Sequence, residues 1–388
     1  METKHGTILS DASNTSAGFN QRKLQIARKI LTNAAAKHAF AGSVALVARH
    51  GRIALQAADG FAVLFPSRER MKLSTLFDLA SVTKAVATTT SVMILIEQRK
   101  LGLNQRIADI LPSFSRARKR DIKIKHLLSH TSGLPAWSDF YTRHTNQGAI
   151  IDEIAGSIEL TSKPGTHSTY SDLGFMVLGA IVEQAGGYSL QRFSRENIFK
   201  PLGMRHTSFN PTLSNHHIAA TEYSNWRSQF IRGKVHDENA AATKGVSGHA
   251  GLFSNALDLA VFCQMMLNGG TYDDARILSE ESVKQMTSNQ TLELGSYFGW
   301  GWWMKTSGTP NVGERLSPHA FGHNGYTGTS IWMDPKTGLS IVLLTNRIHP
   351  VREGKPSNDE SVGIMMDRKL SWSSVQRQFH NAVVSAIR

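Results

Sequence analysis

The amino-acid sequence predicts an α+β fold, in which both ends of the chain build one antiparallel sheet flanked by terminal helices, with a mostly helical second lobe between them. Three observations support this prediction. Strand-like runs cluster near both ends of the chain, amphipathic helices flank these runs, and helical periodicity dominates the middle. A cleft between the sheet and the helical lobe is the natural place for a functional site.

The N-terminal part supplies the first helix and a hairpin. After a polar leader, residues 1–22, which we expect to be flexible, the run KLQIARKILTNAAAKH places its apolar residues on one helical stripe. The stretch GSVALVARHGRIALQAADGFAV contains two strand-like runs joined at His50-Gly51, a dipeptide typical of a hairpin turn. We therefore assign residues 23–75 to the first part of an α/β lobe.

The C-terminal part, residues 290–388, completes that lobe. The stretch GTSIWMDPKTGLSIVLLTNR contains a second strand pair with a turn at residues 334–338, and WSSVQRQFHNAVVSAIR follows as an amphipathic helix. Between the two parts, residues 76–289 form the helical lobe. Its clearest buried helix is GFMVLGAIVEQAGG, with Gly186-Gly187 at its end. Residues 23–388 are thus predicted to form a single domain.

Composition and charge exclude several classes of protein. With 388 residues and 40% hydrophobic residues the chain can build a substantial core. The single cysteine, Cys263, lies in an apolar helical run, which predicts a buried core residue and neither a disulfide framework nor a catalytic thiol. The net charge is +13, but the basic run RARKR at residues 116–120 has no interleaved aromatic residues. Such a run is typical of a solvated face, so we expect no nucleic-acid partner.

The sequence also contains no run with the length and apolarity of a membrane-spanning helix, so we expect no integral membrane segment. The N-terminus lacks the apolar core of a signal peptide. We therefore expect a protein that is cytoplasmic as it stands, or periplasmic or secreted if a leader has been removed. The oligomeric state is left open.

Residues that could carry chemistry first appear in LASVTKAVATTT, residues 79–90. Ser81 and Lys84 are three positions apart, which places them on one helix face with the amine close enough to take the hydroxyl proton. Lys84 must be neutral to act as a base, and burial beside another cation would lower its pKa. However, about one such pair is expected by chance in a chain this long, and a serine at a helix start is often only an N-cap.

Two further stretches have the same ambiguity. PGTHSTYSDLGF places Tyr170, Ser171 and Asp172 directly before the buried helix, where a half-buried tyrosine and a helix cap are the ordinary roles. FGHNGYTGTSIWMD enters a strand with three glycines, which either admit a ligand close to the backbone or form a bulge. There is no Gly-x-Ser-x-Gly elbow, His-Glu-x-x-His helix or Walker loop.

Together, in this order and at these separations, the three stretches resemble the serine β-lactamase and penicillin-binding-protein superfamily. The closest likeness is to its class C β-lactamase-like branch of esterases, D-amino-acid peptidases and muropeptide amidases. That superfamily carries Ser-x-x-Lys, then Tyr-x-Asn or Ser-x-Asn, then Lys-Thr-Gly or His-x-Gly on a strand. IKHLLSHTSGLP and SGHAGLFSNALDLAVF extend the resemblance, which covers about residues 25–350 and implies a β-lactamase/transpeptidase-like fold.

The resemblance implies roles for individual residues. Ser81 would be the acylated nucleophile and Lys84 its activating base, while Tyr170 would exchange protons with Lys84 and the leaving group. The backbone N–H groups of Ser81 and Tyr326 would form the oxyanion hole. The strand edge beside them would be lined by His323, Asn324 and Gly325.

Two positions depart from the pattern of the superfamily. Asp172 replaces the usual asparagine, and because an ionised carboxylate cannot donate a hydrogen bond to a substrate carbonyl, its role is open. His323 stands where β-lactamases have lysine, which removes a permanent cation that would receive a substrate carboxylate. We therefore expect esterase, amidase or peptidase activity in preference to strong β-lactamase activity.

The segment VHDENAAATKGVSGHAGLFS adds His236, Asp237, Glu238 and His249, but their spacing fits no familiar set of metal ligands. We expect no metal and no cofactor. The segment resembles one common among muropeptide amidases and related penicillin-binding proteins, which implies a loop lining the cleft, with His249 facing the substrate.

The function predicted from the sequence is that of a serine hydrolase, which cleaves a carboxylic ester or amide through an acyl-serine intermediate. Its partner would be a small-molecule ester or amide, with cell-wall fragments among the candidates. Two alternatives stay open on the same fold. One is a non-catalytic sensor that binds β-lactams or cell-wall peptides, and the other is an acyltransferase.

Overall fold

The computed structural model describes residues 6–11, 17–115, 119–213, 217–350 and 370–388. Residues 116–118 of the basic run lie outside this part. The strands are, in chain order, β1 Ser10–Asp11, β2 Gly42–Arg49, β3 Arg52–Val63, β4 Glu69–Arg70, β5 Phe77–Asp78, β6 Ser208–Phe209, β7 Tyr223–Ser224, β8 Gln229–Phe230, β9 Leu252–Ser254, β10 Thr271–Tyr272, β11 Ala275–Arg276, β12 Trp303–Met304, β13 Phe321–Gly325, β14 Thr329–Asp334 and β15 Leu339–Thr345.

The α-helices are α1 Gln21–Ala36, α2 Thr90–Glu97, α3 Ile124–Leu128, α4 Gln147–Gly156, α5 Asp172–Gly186, α6 Leu190–Ser194, α7 Glu238–Ala242, α8 Ala256–Leu267, α9 Glu280–Met286 and α10 Trp372–Ser385. Two wider π-helical segments, Lys84–Thr89 and Arg195–Phe199, adjoin α2 and α6. Short 3₁₀ turns occupy Ile107–Asp109, Pro112–Ser115, Phe140–Thr142 and Leu292–Leu294.

An eight-stranded sheet built from both ends of the chain dominates the described residues, which confirms the predicted α+β class. Its order is β1-β3-β2-β15-β14-β13-β12, with β4 paired to β3, and its pairings are antiparallel except for β1 with β3. Both predicted hairpins are present. His50 and Gly51 join β2 to β3 with positive φ angles of 49° and 74°, as a type I′ turn requires. Residues 335–338 join β14 to β15.

The sheet is covered on both faces. The central strand β15 alternates between two cores, because successive side chains of a strand point to opposite faces. Ile341 and Leu343 pack with helices α1 and α10, whereas Val342 and Leu344 pack with the helical lobe. A strand buried on both sides needs an almost continuous apolar run, and this explains the sequence SIVLL.

The described parts of the predicted leader contact the domain, and the flexibility of residues 1–22 stays a prediction. Strand β1 pairs with the edge strand β3, where unpaired backbone groups offer hydrogen bonds. Phe19 is buried and bridges to Ile387, and α1 begins at Gln21. The division into two lobes stays a prediction.

Helix α5 forms the centre of the helical lobe. Ser171 is its N-cap, with Oγ accepting a hydrogen bond from the Gly174 N–H at 3.2 Å, and Gly187 ends it in the left-handed conformation at φ 73°. Cys263 is buried in α8, as expected. In the described ranges no single helix is long and apolar enough to cross a membrane, although α5 and residues 190–199, bent by 73°, reach that length and apolarity as a pair.

A close contact between two glycines lets the segment before β9 lie directly on α5. A Cβ atom on Gly248 would come within 2.0 Å of the Phe175 carbonyl oxygen, and one on Gly179 would come within 2.9 Å of the Gly248 nitrogen. The hydroxyl of Thr88 donates to the Gly248 carbonyl at 2.6 Å. Neither glycine can therefore carry a side chain without moving backbone.

We predict that Gly248→Ala lowers the free energy of unfolding by about 1–3 kcal/mol, because the new methyl group overpacks a backbone contact. Gly148→Ala is the matched control. Its Cβ would meet nothing nearer than 3.5 Å, and alanine in a helix is favoured over glycine by about 0.5–1 kcal/mol. Urea denaturation followed by circular dichroism measures both changes, and equal stability of the two variants would contradict the packing argument.

Candidate active site

A cleft of about 740 Å³ opens between the end of the sheet and the helical lobe, where we expected a functional site. Ser81 lies in its wall, and aromatic and carboxylate side chains surround it. The lining residues are Ala80, Ser81, Trp137, Tyr141, Tyr170, Asp172, His236, Asp237, Glu238, Ala250, Tyr297, Phe298, Trp303, Asn311, Asn324, Gly325, Tyr326, Arg347, Trp372 and Ser373.

The turn that presents Ser81 is held by a buried carboxylate that the sequence analysis missed. Asp78, 2% exposed at the end of β5, accepts hydrogen bonds from the backbone N–H groups of Ala80 at 2.9 Å and His236 at 2.6 Å. These bonds support the unfavourable positive φ of Ala80, 45°, directly before Ser81. The only local signal was an aspartate three residues before the serine.

Lys84 lies beneath Ser81 and is completely buried. Its Nζ atom is 2.8 Å from Ser81 Oγ, 2.7 Å from Asp172 Oδ1 and 3.0 Å from the His249 carbonyl oxygen. Lys84 thus donates hydrogen bonds to Ser81 and to the His249 carbonyl, and its ammonium forms an ion pair with the Asp172 carboxylate. The predicted contact between Ser81 and Lys84 is therefore present, with Asp172 as a third member.

The charge state of Lys84 differs from our expectation. Burial acts to lower its pKa, but the Asp172 carboxylate and the Tyr170 hydroxyl outweigh burial and raise the pKa above its ordinary value. The expectation of a neighbouring cation that lowers the pKa was wrong, because the neighbour is a carboxylate. Lys84 is thus held as a cation at rest.

Tyr170 completes the group around the serine. Its ring centroid is 5.0 Å from Lys84 Nζ, and its hydroxyl is within hydrogen-bonding reach of both Ser81 and Lys84. Burial raises the pKa of Tyr170, which keeps the phenol protonated. The structure therefore brings together the three residues that the resemblance singled out.

His130 supports this tyrosine, although the sequence analysis assigned it no role. The two ring centroids are 4.5 Å apart, and His130 Nδ1 accepts the Ser171 N–H at 3.0 Å. Burial and the charge of Lys84 lower the pKa of His130 far below its ordinary value, so the ring is neutral. The sequence contained one indication of this role, because His130 lies in IKHLLSHTSGLP, one of the stretches that resemble the superfamily.

The turn between β13 and β14 is hydrogen-bonded to the turn that precedes Ser81. The hydroxyls of Thr327 and Thr329 donate to the carbonyls of Asp78 at 2.7 Å and Leu79 at 2.9 Å. A Cβ atom on Gly325 would come within 2.3 Å of the Leu79 carbonyl oxygen, so only glycine allows this approach. The contact brings the backbones of Ser81 and Tyr326 to one cleft.

The side chain of His323 does not line the cleft as we expected, whereas Asn324 and Gly325 do belong to its lining. His323 is fully buried, its Nδ1–H donates to the Asn324 carbonyl at 2.8 Å, and burial together with Lys84 lowers its pKa to about 3. Asn324 touches the cleft, but its Oδ1 faces the other side of the sheet and accepts from Trp332 at 3.1 Å and Gln376 at 2.9 Å. Alternation along β13 separates the two side chains.

The expectation that His249 faces the substrate was also wrong for its side chain. The imidazole is 1% exposed and is hydrogen-bonded to Asp237 Oδ1 and Ser247 Oγ, both at 2.8 Å. Its backbone carbonyl instead contacts Lys84. The segment does line the cleft, through His236, Asp237 and Glu238.

Comparison with protein families and with related proteins agrees with this geometry. The family model described as Beta-lactamase matches residues 27–362. An Escherichia coli K12 protein with the provisional name D-alanyl-D-alanine carboxypeptidase is 35% identical over 379 residues, covering 88% of this chain and 86% of the relative. N-acetylmuramyl-L-alanine amidase of Bacillus subtilis strain 168 is 34% identical over 370 residues, covering 86% and 83%.

Solved structures show the same fold. EstCE1, described as a hydrolase with promiscuous acyltransferase activity, superposes with a TM-score of 0.72 at 25% identity, covering 94% of this chain and 99% of its own. A family VIII carboxylesterase gives a TM-score of 0.70 at 21% identity, covering 94% and 97%. This chain therefore belongs to the β-lactamase family, the serine hydrolases of the β-lactamase and penicillin-binding-protein superfamily.

Proposed function

We propose that this serine hydrolase acylates Ser81 and cleaves amide bonds in peptides derived from the bacterial cell wall. The observation that carries the proposal is the 2.8 Å contact between Ser81 Oγ and the buried Lys84 Nζ in the wall of a large cleft. A serine in contact with a basic side chain is the arrangement that nucleophilic catalysis needs.

In the proposed reaction, Ser81 Oγ attacks the substrate carbonyl carbon while its proton moves toward Lys84. The negative charge that develops on the carbonyl oxygen is stabilised by the backbone N–H groups of Ser81 and Tyr326. When the bond to the amine breaks, Tyr170 passes a proton from Lys84 to the leaving nitrogen. Water then hydrolyses the ester on Ser81 and regenerates the hydroxyl.

The proposed substrate class is supported by the two relatives described above, whose names refer to D-alanyl-D-alanine and N-acetylmuramyl-L-alanine. The cleft volume of about 740 Å³ is large enough for a peptide with several side chains. β-Lactams are expected to be poor substrates, because His323 is neutral where the superfamily places a lysine that receives a substrate carboxylate.

A second candidate is an esterase that also transfers the acyl group to an alcohol. It is favoured by the 25% identity to EstCE1 and by the aromatic walls of the cleft, which Trp137, Tyr297 and Trp303 provide. Such walls suit an apolar acyl chain. Both candidates use the same acyl-serine, so they differ only in which donors and acceptors the cleft admits.

Ser81→Ala is predicted to abolish covalent labelling by a fluorophosphonate probe and to lower turnover by at least about a thousandfold, because the nucleophile is removed. Intact-protein mass spectrometry measures the labelling. The control is Ser115→Ala, which alters an exposed serine hydroxyl bonded to the Pro112 carbonyl outside the cleft. Full labelling of the Ser81→Ala protein would refute the nucleophile assignment.

A substrate panel separates the two candidates. We expect the protein to release D-alanine from a muramyl pentapeptide, or the peptide from a muramyl peptide, with a higher kcat/KM than for p-nitrophenyl butyrate or nitrocefin. Chromatography with mass detection measures the first two and absorbance the others. Hydrolysis of p-nitrophenyl esters with no action on either muramyl substrate would instead favour the esterase, and a stable adduct that never turns over would favour a sensor.

A further inference from the structure

The ion pair between Lys84 and Asp172 poses a problem for the activation of Ser81. At rest Lys84 is a cation that donates hydrogen bonds to Ser81 Oγ and the His249 carbonyl and forms an ion pair with Asp172 Oδ1. A fully protonated ammonium has no lone pair and cannot accept the serine proton. The proton already on Lys84 therefore has to leave before, or as, the serine proton arrives.

Asp172 is placed to take that proton. Its Oδ1 atom is 2.7 Å from Lys84 Nζ, a normal distance for a charge-assisted hydrogen bond, and in the described residues no other carboxylate makes an ion pair with Lys84. The remaining neighbours are poorer acceptors. Tyr170 is a neutral phenol, and the His249 contact is a backbone carbonyl.

The carboxylate is also not needed to start helix α5. Ser171 caps that helix through its own side chain, and Asp172 contributes its backbone N–H to the Ala136 carbonyl at 2.8 Å. Its side chain is 19% exposed, in the wall of the cleft. The carboxylate of Asp172 is therefore not used as a helix cap, and it contacts the buried cation of Lys84 beside the nucleophile.

We propose that Asp172 is the terminal proton acceptor of a relay in which the Ser81 hydroxyl proton moves to Lys84 Nζ while a Lys84 proton moves to Asp172 Oδ1. This inference rests on the proposed acylation of Ser81. The Ser81 Oγ–carbon bond forms, the carbonyl π electrons move onto oxygen, and Lys84 keeps three protons throughout. Asp172 becomes a carboxylic acid, and when the leaving group departs, its proton returns to Lys84 Nζ while Tyr170 passes a Lys84 proton to the leaving atom.

The surroundings of the pair favour such a transfer once a substrate fills the cleft. The groups that face it are Tyr170, His130, His323 and the ring of Phe175, which is centred 5.8 Å from Lys84 Nζ. Both histidines are neutral, so nothing else among them carries charge. Substrate binding removes water from the ion pair, and the relay moves the negative charge from Asp172 to the substrate oxygen, where the backbone N–H groups of the oxyanion hole stabilise it.

The test is the pH profile of acylation in Asp172→Asn, an isosteric change that keeps the backbone contact. In the natural protein the relay starts from the ion pair, so acylation does not require Lys84 to lose its proton to solvent. In the variant, Lys84 has to lose its proton to solvent first. The fall of kcat/KM on the acid side of the profile, the acid limb, then reports the ionisation of Lys84, and it moves to higher pH by more than about one unit. Below that limb the rate falls about tenfold per pH unit and recovers on the alkaline side.

The measurement is the burst of p-nitrophenol released from p-nitrophenyl butyrate, followed at the wavelength where p-nitrophenol and p-nitrophenolate absorb equally. Thermal unfolding verifies that each variant folds. Asp172→Glu keeps a carboxylate and should keep the acid limb of the natural protein. Asp109→Asn is the matched control, since its carboxylate pairs with the exposed Arg106, and it should leave the whole profile unchanged.

Two results with Asp172→Asn would overturn the relay. An acid limb that stays in place means that another base accepts the serine proton, and a uniform loss at every pH means that Asp172 only orders the site. Failure of the proposed function looks different. In that case the natural protein shows no burst and no label on Ser81, and the inference falls with it.

Discussion

The buried ammonium of Lys84 is the constraint on which the rest of the site depends. An unpaired ammonium in the interior would cost several kcal/mol, so the fold has to supply hydrogen-bond acceptors and a negative charge around it. They come from three separate parts of the chain, namely the turn at Ser81, the start of α5 at Asp172 and the segment before β9 at His249. Satisfying one buried charge therefore positions the nucleophile and two walls of the cleft at once.

Backbone contacts then fix these parts relative to the sheet. Asp78 ties the turn before Ser81 to the loop at His236, and the hydroxyls of Thr327 and Thr329 tie the same turn to the end of β13. Gly325 lets the strand approach closely enough for this. The strained conformation of Ala80 is thus supported from several sides, as a preorganised site requires.

Next to the nucleophile, the ion pair between Lys84 and Asp172 lies beside two neutral histidines. His130 and His323 pack around Tyr170 without charge, because burial and the neighbouring ammonium both disfavour an imidazolium. His323, at the position that carries a lysine in β-lactamases, therefore contributes a buried neutral ring and no cation. The carboxylate of Asp172 balances the charge of Lys84. Unlike an asparagine at that position, it is a group that can accept a proton.

The sequence by itself determined the α+β class, both hairpins, the terminal helices and the three stretches that meet at the cleft, since helical and strand periodicity and turn residues are local properties of the chain. It also predicted the contact between Ser81 and Lys84, since a spacing of three positions places two side chains on one face of a helical turn. Only the tertiary structure decided the charge of Lys84 and the orientations of His249 and His323. Those depend on which atoms of distant segments arrive at one point, such as a carbonyl 165 positions along the chain, and on which face of a strand a residue occupies after folding.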